Sequence, residues 1–371
     1  MKKLGFGLMR LPRTNPDDPA AVDRAAFQQM ADTFLARGGT YFDTAYPYHG
    51  GASEGLFGEV VAARYPRQAF EITSKMPIYQ VNCPEDYGRI FQKQLDSCRV
   101  DYFDNYLLHS LGADSYEKVE QLGGFAFLSR MQAAGKIRRI GFSYHDGADF
   151  LDRVLTEHPE IQLVQLQINY VDWEDPVVQA RRCYEVCVKH RRPVAVMEPL
   201  KGGALTRLPH PAAQLLHSCA PAASLASWGL RYAAGLPGVE VVLSGMGDLA
   251  QLEENLTLLE GFSPLNSQEQ AALEQAARIV RESTPIPCTS CGYCTPSCPK
   301  GIPIPDYFSL YNRRELFGMV PELADSYRRR CAAHAKPQDC IGCGGCEARC
   351  PQHLPIRQWL GRVARTFESE P

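Results

Sequence analysis

The sequence predicts an α/β protein, a (β/α)8 TIM barrel followed by a small, mainly helical domain. Over about the first 260 residues, eight short β-rich runs alternate with amphipathic helical stretches, which is the size and rhythm of such a barrel. Near the end of the chain, one cysteine pattern occurs twice. The β-rich runs cover 4–10, 40–44, 70–75, 103–109, 138–143, 163–169, 193–198 and 239–244, and the helix candidates include 21–37, 84–99, 116–134 and 175–191.

A doubly wound parallel sheet is the other arrangement that alternating strands and helices permit. Its nucleotide-binding form usually carries a G-x-G-x-x-G motif between the first strand and the first helix. No such motif follows the first β-rich run of this chain. The barrel is therefore the favoured fold.

The repeated cysteine pattern reads C-x2-C-x2-C-x3-C-P, which is the ligand spacing of bacterial-type [4Fe–4S] clusters. In that arrangement the fourth cysteine of each run binds the cluster of the other run. Structural zinc prefers ligands in two pairs, and disulfide frameworks belong to small secreted domains, so two [4Fe–4S] clusters fit better. Gly292, Gly342, Gly344 and Gly345 suit the positive-φ bends of such loops. The predicted ligands are Cys288, Cys291, Cys294, Cys298, Cys340, Cys343, Cys346 and Cys350.

A domain boundary is expected just before the first cysteine run. A helical stretch at 267–283 ends at Thr284-Pro285-Ile286-Pro287, where two prolines break the helix. We therefore expect a barrel domain over 1–283 and a ferredoxin-like domain over 284–371. The 41 residues between Cys298 and Cys340 contain two helical-looking stretches, 307–317 and 321–334. That is more chain than a minimal ferredoxin needs, so the second domain is predicted to be mainly helical.

Composition narrows the classes of function and partner. The hydrophobic share of 45% and the charged share of 22% are ordinary for a soluble globular protein. A net charge of −3 argues against nucleic acid or an anionic membrane as a partner. No signal peptide or membrane-spanning run is expected, because Arg10 and Pro12 interrupt the short apolar start. With 14 cysteines, eight of them in the cluster runs, the chain needs a reducing compartment, and we expect the cytoplasm.

Four residues at strand ends point to one catalytic pocket, because barrel enzymes place their chemistry where strands end. Asp43 lies at the end of the second run and Tyr48 just after it, Lys75 ends the third, and His109 ends the fourth. A lone histidine or tyrosine at such a position is usually structural, but an unpaired buried lysine is expensive, and Asp43 offers it a partner. A nearby ammonium lowers the pKa of a phenol, so Tyr48 is expected to act as a general acid while His109 donates to a carbonyl oxygen.

These residues, with Ser53-Glu54 after Tyr48 and Leu107-Leu108 before His109, resemble the aldo/keto reductase superfamily over about residues 1–260. With the cysteine runs, the chain resembles the iron–sulfur-containing members. The resemblance implies a catalytic tetrad of Asp43, Tyr48, Lys75 and His109, with Tyr48 as the proton donor and NAD(H) or NADP(H) as the hydride carrier.

The resemblance also implies positions for the cofactor, with three departures. Tyr144 stands where the family usually has Asn, and Met197 stands where many members stack a Tyr on the nicotinamide. Gln251 replaces an Arg, which weakens the expectation of NADPH and leaves NADH, or a flavin such as FMN, open. The implied cofactor-binding residues are Ser143, Gln165, Ser244, Gly245, Glu254 and Asn255.

Three functions are compatible with these features. A [4Fe–4S] cluster passes single electrons, whereas a nicotinamide passes two as hydride, and a flavin normally connects them. The favoured function is an oxidoreductase acting on the carbonyl/alcohol pair of a small molecule, with two clusters relaying electrons to or from the barrel cofactor. The alternatives are a flavin-containing electron-transfer protein, which Met197, Tyr144 and Gln251 favour, and a redox sensor that uses the barrel as a scaffold. An external one-electron carrier is the candidate protein partner.

Overall fold

The computed structural model describes residues 3–15, 18–176, 178–317 and 321–368. It confirms the predicted barrel: eight parallel strands follow one another around a closed sheet, and the last pairs with the first. Closure leaves no sheet edge, and the parallel order brings all carboxyl ends to one rim. The strands are β1 Leu4–Gly7, β2 Tyr41–Asp43, β3 Glu71–Met76, β4 Phe103–Leu111, β5 Ile137–Tyr144, β6 Leu163–Gln167, β7 Val194–Met197 and β8 Val239–Gly245.

Helices connect the strands, and their ends follow local capping. The predicted helix over 116–134 is interrupted at Gly123, whose φ of 73° is easy for glycine and ends the first segment. The side chain of Asp23 caps the first helix by accepting a hydrogen bond from the Ala26 N–H. The helices of this part are α1 Arg24–Ala36, α2 Ser53–Phe57, α3 Pro84–Cys98, α4 Ala113–Gln121, α5 Gly124–Ala133, α6 Ala148–Glu157, α7 Ala180–Lys189, α8 His210–Cys219, α9 Leu225–Gly235 and α10 Leu249–Glu260.

Apolar burial holds the helices onto the outer face of the sheet. Phe6 on β1 and Phe42 on β2 lie against Phe34 of α1, with ring centroids between 5.1 and 5.8 Å apart. All three side chains are fully buried. Burying one such ring contributes about 1.5–3 kcal/mol relative to leaving it in water, so this layer fixes α1 against β1 and β2.

A polar chain crosses the barrel interior on inward-facing residues near the strand starts. Thr73 donates to the Tyr41 hydroxyl at 2.8 Å, and Asn105 donates to the Thr73 hydroxyl at 3.0 Å. Arg139 then donates to Asn105 at 2.8 Å and to Glu240 at 2.7 Å. Because each of these polar groups has a partner, hydrogen bonds offset the cost of removing the groups from water. This end of the barrel is filled, and the chemistry is left to the opposite rim.

The chain divides into two compact units. The first contains the residues up to Pro199 together with Ser227–Leu265, and the second contains Leu200–Ala226 and the chain from Asn266 onward. The second unit therefore includes residues before the predicted boundary at 283/284. The division into a barrel domain over 1–283 and a ferredoxin-like domain over 284–371 stays a prediction. Its remaining helices are α11 Ser267–Ser283, which packs against α8, then α12 Ile304–Phe317, α13 Pro321–Ala333 and α14 Ile356–Glu368.

The last helix, α14, is absent from the sequence-based prediction. Its buried residues are spaced like one face of an amphipathic helix, and that spacing was the signal available. They are Ile356, Leu360, Val363, Ala364 and Phe367. Among the described residues, no helix is both long and apolar enough to cross a bilayer.

Candidate functional site

A buried ion pair joins the ends of β2 and β3. The Lys75 ammonium donates to Asp43 Oδ1 at 2.7 Å and to the Thr44 carbonyl oxygen at 2.8 Å. Gln165 on β6 donates to the other Asp43 oxygen at 3.0 Å. Burial raises the pKa of Asp43 and lowers the pKa of Lys75, and the ion pair opposes both changes. The expected pairing is therefore present, with Gln165 as an additional partner.

Tyr48 lies beside this pair. Its hydroxyl is 3.5 Å from Lys75 Nζ, and the ammonium is 5.1 Å from the centre of its ring. Directly after it, His49 and Gly50 adopt positive φ values of 53° and 63°. Tyr48 therefore lies between the end of β2 and a local kink in the chain. An ammonium at this distance stabilises a phenolate, which is what a tyrosine needs to release a proton.

His109 completes the predicted tetrad from the end of β4. Its ring lies edge-on to Tyr48, with centroids 6.2 Å apart and planes at 83°, and Tyr79 lies 6.4 Å away on another side. Burial lowers the pKa of His109 well below its ordinary value, and the charges of Lys75 and His145 add to this effect. The imidazole is therefore neutral at neutral pH and offers one N–H as a hydrogen-bond donor. The fold brings together all four predicted catalytic residues.

The groups expected to bind a nicotinamide carboxamide lie on β5 and β6. Ser143 is buried and accepts a hydrogen bond from the Ser110 N–H at 2.8 Å, which leaves its own proton for another acceptor. Gln165 is held by Asp43, so its amide oxygen has a fixed direction. A hydroxyl donor beside an amide acceptor fits a carboxamide, which carries one acceptor and one donor group. The residues present fit a nicotinamide in this respect.

Two departures from the family have different structural meanings. The Tyr144 hydroxyl donates to the Gly147 carbonyl at 2.7 Å, and burial beside Cys183 and Cys187 of α7 raises its pKa. Tyr144 thus lies on the helix side of β5 and supports the β5–α6 loop. Met197 instead packs against the buried cluster inside the barrel that includes Leu163, Ala195 and Leu243.

The predicted phosphate loop follows β8. Ser244 and Asn255 are buried and hydrogen-bonded at 3.1 Å, whereas Glu254 is exposed. Gly245 permits close approach, because a Cβ there would lie 3.1 Å from the Arg10 side chain. Arg10 pairs with Glu198 at 3.6 Å and places a cation beside this loop. The sequence did not predict that Arg10 lies beside this loop, although its position just after β1 could have indicated it.

Gln251, which replaces the Arg of the family, is engaged within the same loop. Its Nε2 donates to Asp248 at 2.7 Å, and its Oε1 accepts from the Gly247 N–H at 3.0 Å. Gln251 therefore shapes the start of α10 and supplies no charge for a 2′-phosphate.

The buried carboxyl group of Glu54 belongs to a hydrogen-bond network next to Lys75. Glu54 accepts from the Ser74 hydroxyl at 2.5 Å and from the Gln94 amide at 2.6 Å, and Gln94 also donates to the Lys75 carbonyl at 3.1 Å. Tyr106 donates to the other end of the Gln94 side chain. Burial raises the pKa of Glu54 to about 7. This network holds the β3 backbone at Lys75. Of its residues behind Lys75, only Glu54 was singled out in the sequence, as part of Ser53-Glu54.

In the second unit, four thiols from both cysteine runs line one small cavity. They are Cys288, Cys291 and Cys294 of the first run and Cys350, the last cysteine of the second run. The rest of the lining is mostly apolar, with Phe308 among its residues. Thiols around an apolar cavity suit an iron–sulfur cube, and the membership of Cys350 agrees with the expected exchange of fourth ligands.

The second run approaches the end of the first in the same way. A Cβ on Gly345 would lie 3.0 Å from the Ser297 carbonyl oxygen and 4.0 Å from Cys343 Sγ, so the absence of a side chain lets this loop lie against the residue before Cys298. Gly292, Gly342 and Gly344 have the expected positive φ values of 80°, 74° and 78°. Gly345 is needed for close approach and not for a positive φ.

The cysteine thiols lie in a partly buried environment. Across residues 3–15, 18–176, 178–317 and 321–368, no group of three or more His, Cys, Asp or Glu side chains is arranged to hold a single metal ion. Burial raises the pKa of the Cys294, Cys346 and Cys350 thiols.

Comparison with known proteins agrees with both parts. The aldo/keto reductase family model matches residues 3–278, and a 4Fe-4S dicluster domain model matches residues 287–354. A norsolorinic acid reductase of Emericella nidulans is 32% identical over 128 residues, which cover 31% of this chain and 32% of that protein. The chain thus matches about a third of the length of this curated relative.

Two solved structures are similar in fold. An aldo-keto reductase of Bacillus halodurans in its holo form has a TM-score of 0.59 at 21% identity, covering 74% of this chain and 91% of that one. One from Klebsiella pneumoniae in complex with NADPH has a TM-score of 0.59 at 21% identity, covering 74% and 90%. With the family model matching most of the chain, the conclusion is direct. This chain belongs to the aldo/keto reductase family and carries a C-terminal 4Fe-4S dicluster domain.

Proposed function

We propose that the barrel interconverts a carbonyl compound and its alcohol. The observation that carries this proposal is the position of the buried Lys75 ammonium, which lies between Asp43 and the Tyr48 hydroxyl. A nicotinamide, when bound, supplies or accepts the hydride at the carbonyl carbon. Tyr48 gives its proton to the carbonyl oxygen, and the resulting phenolate is stabilised by Lys75 until solvent returns the proton. In the reverse direction, the phenolate takes the alcohol proton.

His109 and Asp43 act on this step without transferring the proton themselves. His109 is neutral, so its N–H donates a hydrogen bond that orients the carbonyl oxygen towards Tyr48. Asp43 keeps Lys75 charged in a buried position, because the ion pair favours the ionised forms that burial opposes. Removing either residue should therefore reduce turnover without removing the proton donor.

The cofactor is proposed to lie along the rim from β5 to β8. Ser143 and Gln165 hold the carboxamide, and the loop after β8 holds the phosphates, where Arg10 supplies the nearby positive charge. The match to an aldo-keto reductase in complex with NADPH supports a nicotinamide. The phosphate and adenine residues proposed for this role are Ser244, Gly245, Glu254 and Asn255.

In the second domain we assign eight cysteines to two [4Fe–4S] clusters, relaying single electrons to or from the barrel cofactor. Cys288, Cys291 and Cys294 join Cys350 around the first cluster, as the shared cavity supports. The second cluster takes Cys298, Cys340, Cys343 and Cys346. Because these clusters and free thiols require reducing conditions, a cytoplasmic location follows from the assignment.

A flavin such as FMN in the barrel is the second candidate, and Met197 is the observation that favours it. Met197 occupies the position at which many family members stack a tyrosine on the nicotinamide, and thioether sulfur packs on either type of ring. A flavin would join two-electron chemistry to one-electron clusters. Acid precipitation of anaerobically purified protein decides this point, because a released flavin has its own absorption spectrum.

The assignment of Tyr48 is tested with Tyr48→Phe in anaerobically purified protein that retains its brown colour. We expect carbonyl reduction by NADH or NADPH to fall by about 10²–10⁴-fold, the usual contribution of a general acid. Tyr46→Phe is the matched control, because it removes a hydroxyl that accepts from Lys93 at 3.0 Å, away from Lys75. Equal turnover in Tyr48→Phe and wild type would exclude Tyr48 as the acid.

A further inference from the structure

The two cysteine loops share one sequence pattern but differ in exposure. The residue after the first cysteine of each run occupies the same place in the pattern. In the first run it is Thr289, a polar residue that is 2% exposed, and in the second it is Ile341, an apolar residue that is 61% exposed. Equivalent positions of the two loops therefore differ in both polarity and exposure, and the second loop presents an apolar side chain to solvent.

The exposure extends to the cluster ligands themselves. Cys343 is exposed, whereas Cys291, its equivalent in the first run, is half-buried. Gly342 between Ile341 and Cys343 is exposed as well. An apolar side chain thus stands beside the most accessible ligand of the second cluster, where an electron has the shortest path to a docked molecule.

The sequence segments around this loop carry more basic than acidic side chains. Arg357 on α14 donates to the Gly342 carbonyl at 3.2 Å and pairs with Glu347 at 2.8 Å. Within 298–300 and 336–357 there are four basic side chains and two acidic ones, although the whole chain has a net charge of −3. The basic residues are Lys300, Lys336, Arg349 and Arg357, and all four are exposed.

We propose that this region is the docking surface for an acidic one-electron carrier protein. The proposal rests on the assignment of the second cluster made above. An exposed apolar residue in a segment with four exposed basic side chains complements a carrier whose redox centre is surrounded by carboxylates, because opposite potentials steer the encounter and a small apolar contact holds it. The Ile341 surface comprises Ile341, Gly342, Cys343, Lys336, Arg349 and Arg357.

The transfer at this surface is a single-electron step. In each encounter the reduced carrier is oxidised by one electron and the cluster bound by Cys298, Cys340, Cys343 and Cys346 is reduced by one. No bond forms or breaks and no proton moves. Two encounters supply the two electrons that one carbonyl-to-alcohol conversion consumes.

The experiment measures the rate at which a photoreduced acidic two-cluster ferredoxin reduces the oxidised clusters of the anaerobic holoprotein. The test variant is Ile341→Glu, which replaces the exposed apolar residue by a negative charge. Val188→Glu is the matched control, because Val188 is exposed and apolar and the change in net charge is the same. Arg349→Glu tests the basic rim independently.

We expect the second-order rate constant to fall at least about tenfold in Ile341→Glu and in Arg349→Glu, and to remain unchanged in Val188→Glu. The wild-type rate should decrease as salt is added. Calorimetric binding of the two oxidised proteins should weaken in the same variants, while reduction by methyl viologen radical should be unaffected. Equal rates in Ile341→Glu and Val188→Glu, or a wild-type rate that does not depend on salt, would overturn the proposal. If the cluster absorbance is missing from the purified protein, the cluster assignment is refuted instead. The measured rate does not depend on the function of Tyr48.

Discussion

Cys350 borders the same cavity as Cys288, although the two residues belong to different cysteine runs. The helices α12 and α13 lie between the two runs in the chain. The two runs therefore depend on each other, and loss of the fourth cysteine of one run should affect the cluster of the other run.

Pairs of Cys→Ser substitutions test this exchange of ligands. Cys291→Ser and Cys350→Ser should each remove about half of the iron, and the double variant should lose no more, because both residues bind the same cluster. Cys298→Ser combined with Cys350→Ser should lose nearly all of it. Cys331→Ser is the control, because that thiol lies in the same unit outside both runs. Iron loss that adds up in Cys291→Ser/Cys350→Ser would place the two residues on different clusters.

The Lys75–Asp43 pair predicts a separation of stability from activity. Lys75→Met leaves the buried Asp43 carboxylate without its cation and should lower the free energy of unfolding by about 3–5 kcal/mol. Adding Asp43→Asn removes the unpaired charge and keeps a partner for Gln165, so stability should partly return while carbonyl reduction stays low. Urea unfolding and turnover are the measurements. Recovery of turnover in the double variant would show that Lys75 is not needed for the proton transfer.

Glu54 predicts a dependence of stability on pH. Its pKa of about 7 in the folded protein lies above the ordinary value of 4.5, so the folded state binds the proton more tightly than the unfolded state. Stability should therefore fall as the pH rises from about 4.5 to about 7 and then level off, with a contribution of about 3 kcal/mol.

Glu54→Gln keeps an acceptor for Ser74 and Gln94 and removes the ionisable group. Its free energy of unfolding, followed by circular dichroism, should lose this slope between about pH 5 and pH 7. Glu59→Gln is the control, because Glu59 is partly exposed and pairs with Arg24 at 3.1 Å. The same slope in Glu54→Gln and wild type would assign the pH dependence to another group.

The sequence predicted the barrel and the tetrad because both depend on local patterns. The β-rich runs alternate with helices. Asp43, Tyr48, Lys75 and His109 each lie at or just after the end of a run, so the common rim of a parallel barrel brings them together. The break at Gly123 and the start of α7 were predicted less well. The helical pattern of the sequence continues through these positions, although the backbone is not helical there.

Contacts between distant residues were not predictable in this way. Gln165 binds Asp43 from four strands away, and Gln94 links Tyr106, Glu54 and the Lys75 backbone from the helix layer. No short sequence motif indicates these contacts of either glutamine. Each contact forms only once the barrel has closed. The exposure of Ile341 likewise follows from packing, since its run matches the first one in sequence.

The most direct test of the relay uses protein whose clusters have been photoreduced and from which free reductant has been removed. Oxidised nicotinamide is added at a tenth of the protein concentration, with excess of an aldehyde or ketone that the enzyme reduces. If the clusters feed the barrel, the cluster absorbance returns as alcohol forms, and alcohol exceeds the added nicotinamide and approaches one molecule per protein, because two one-electron clusters supply one hydride equivalent. Tyr48→Phe should keep its clusters reduced. Clusters that stay reduced in the wild type, with no alcohol formed, would show that the barrel and the clusters do not exchange electrons.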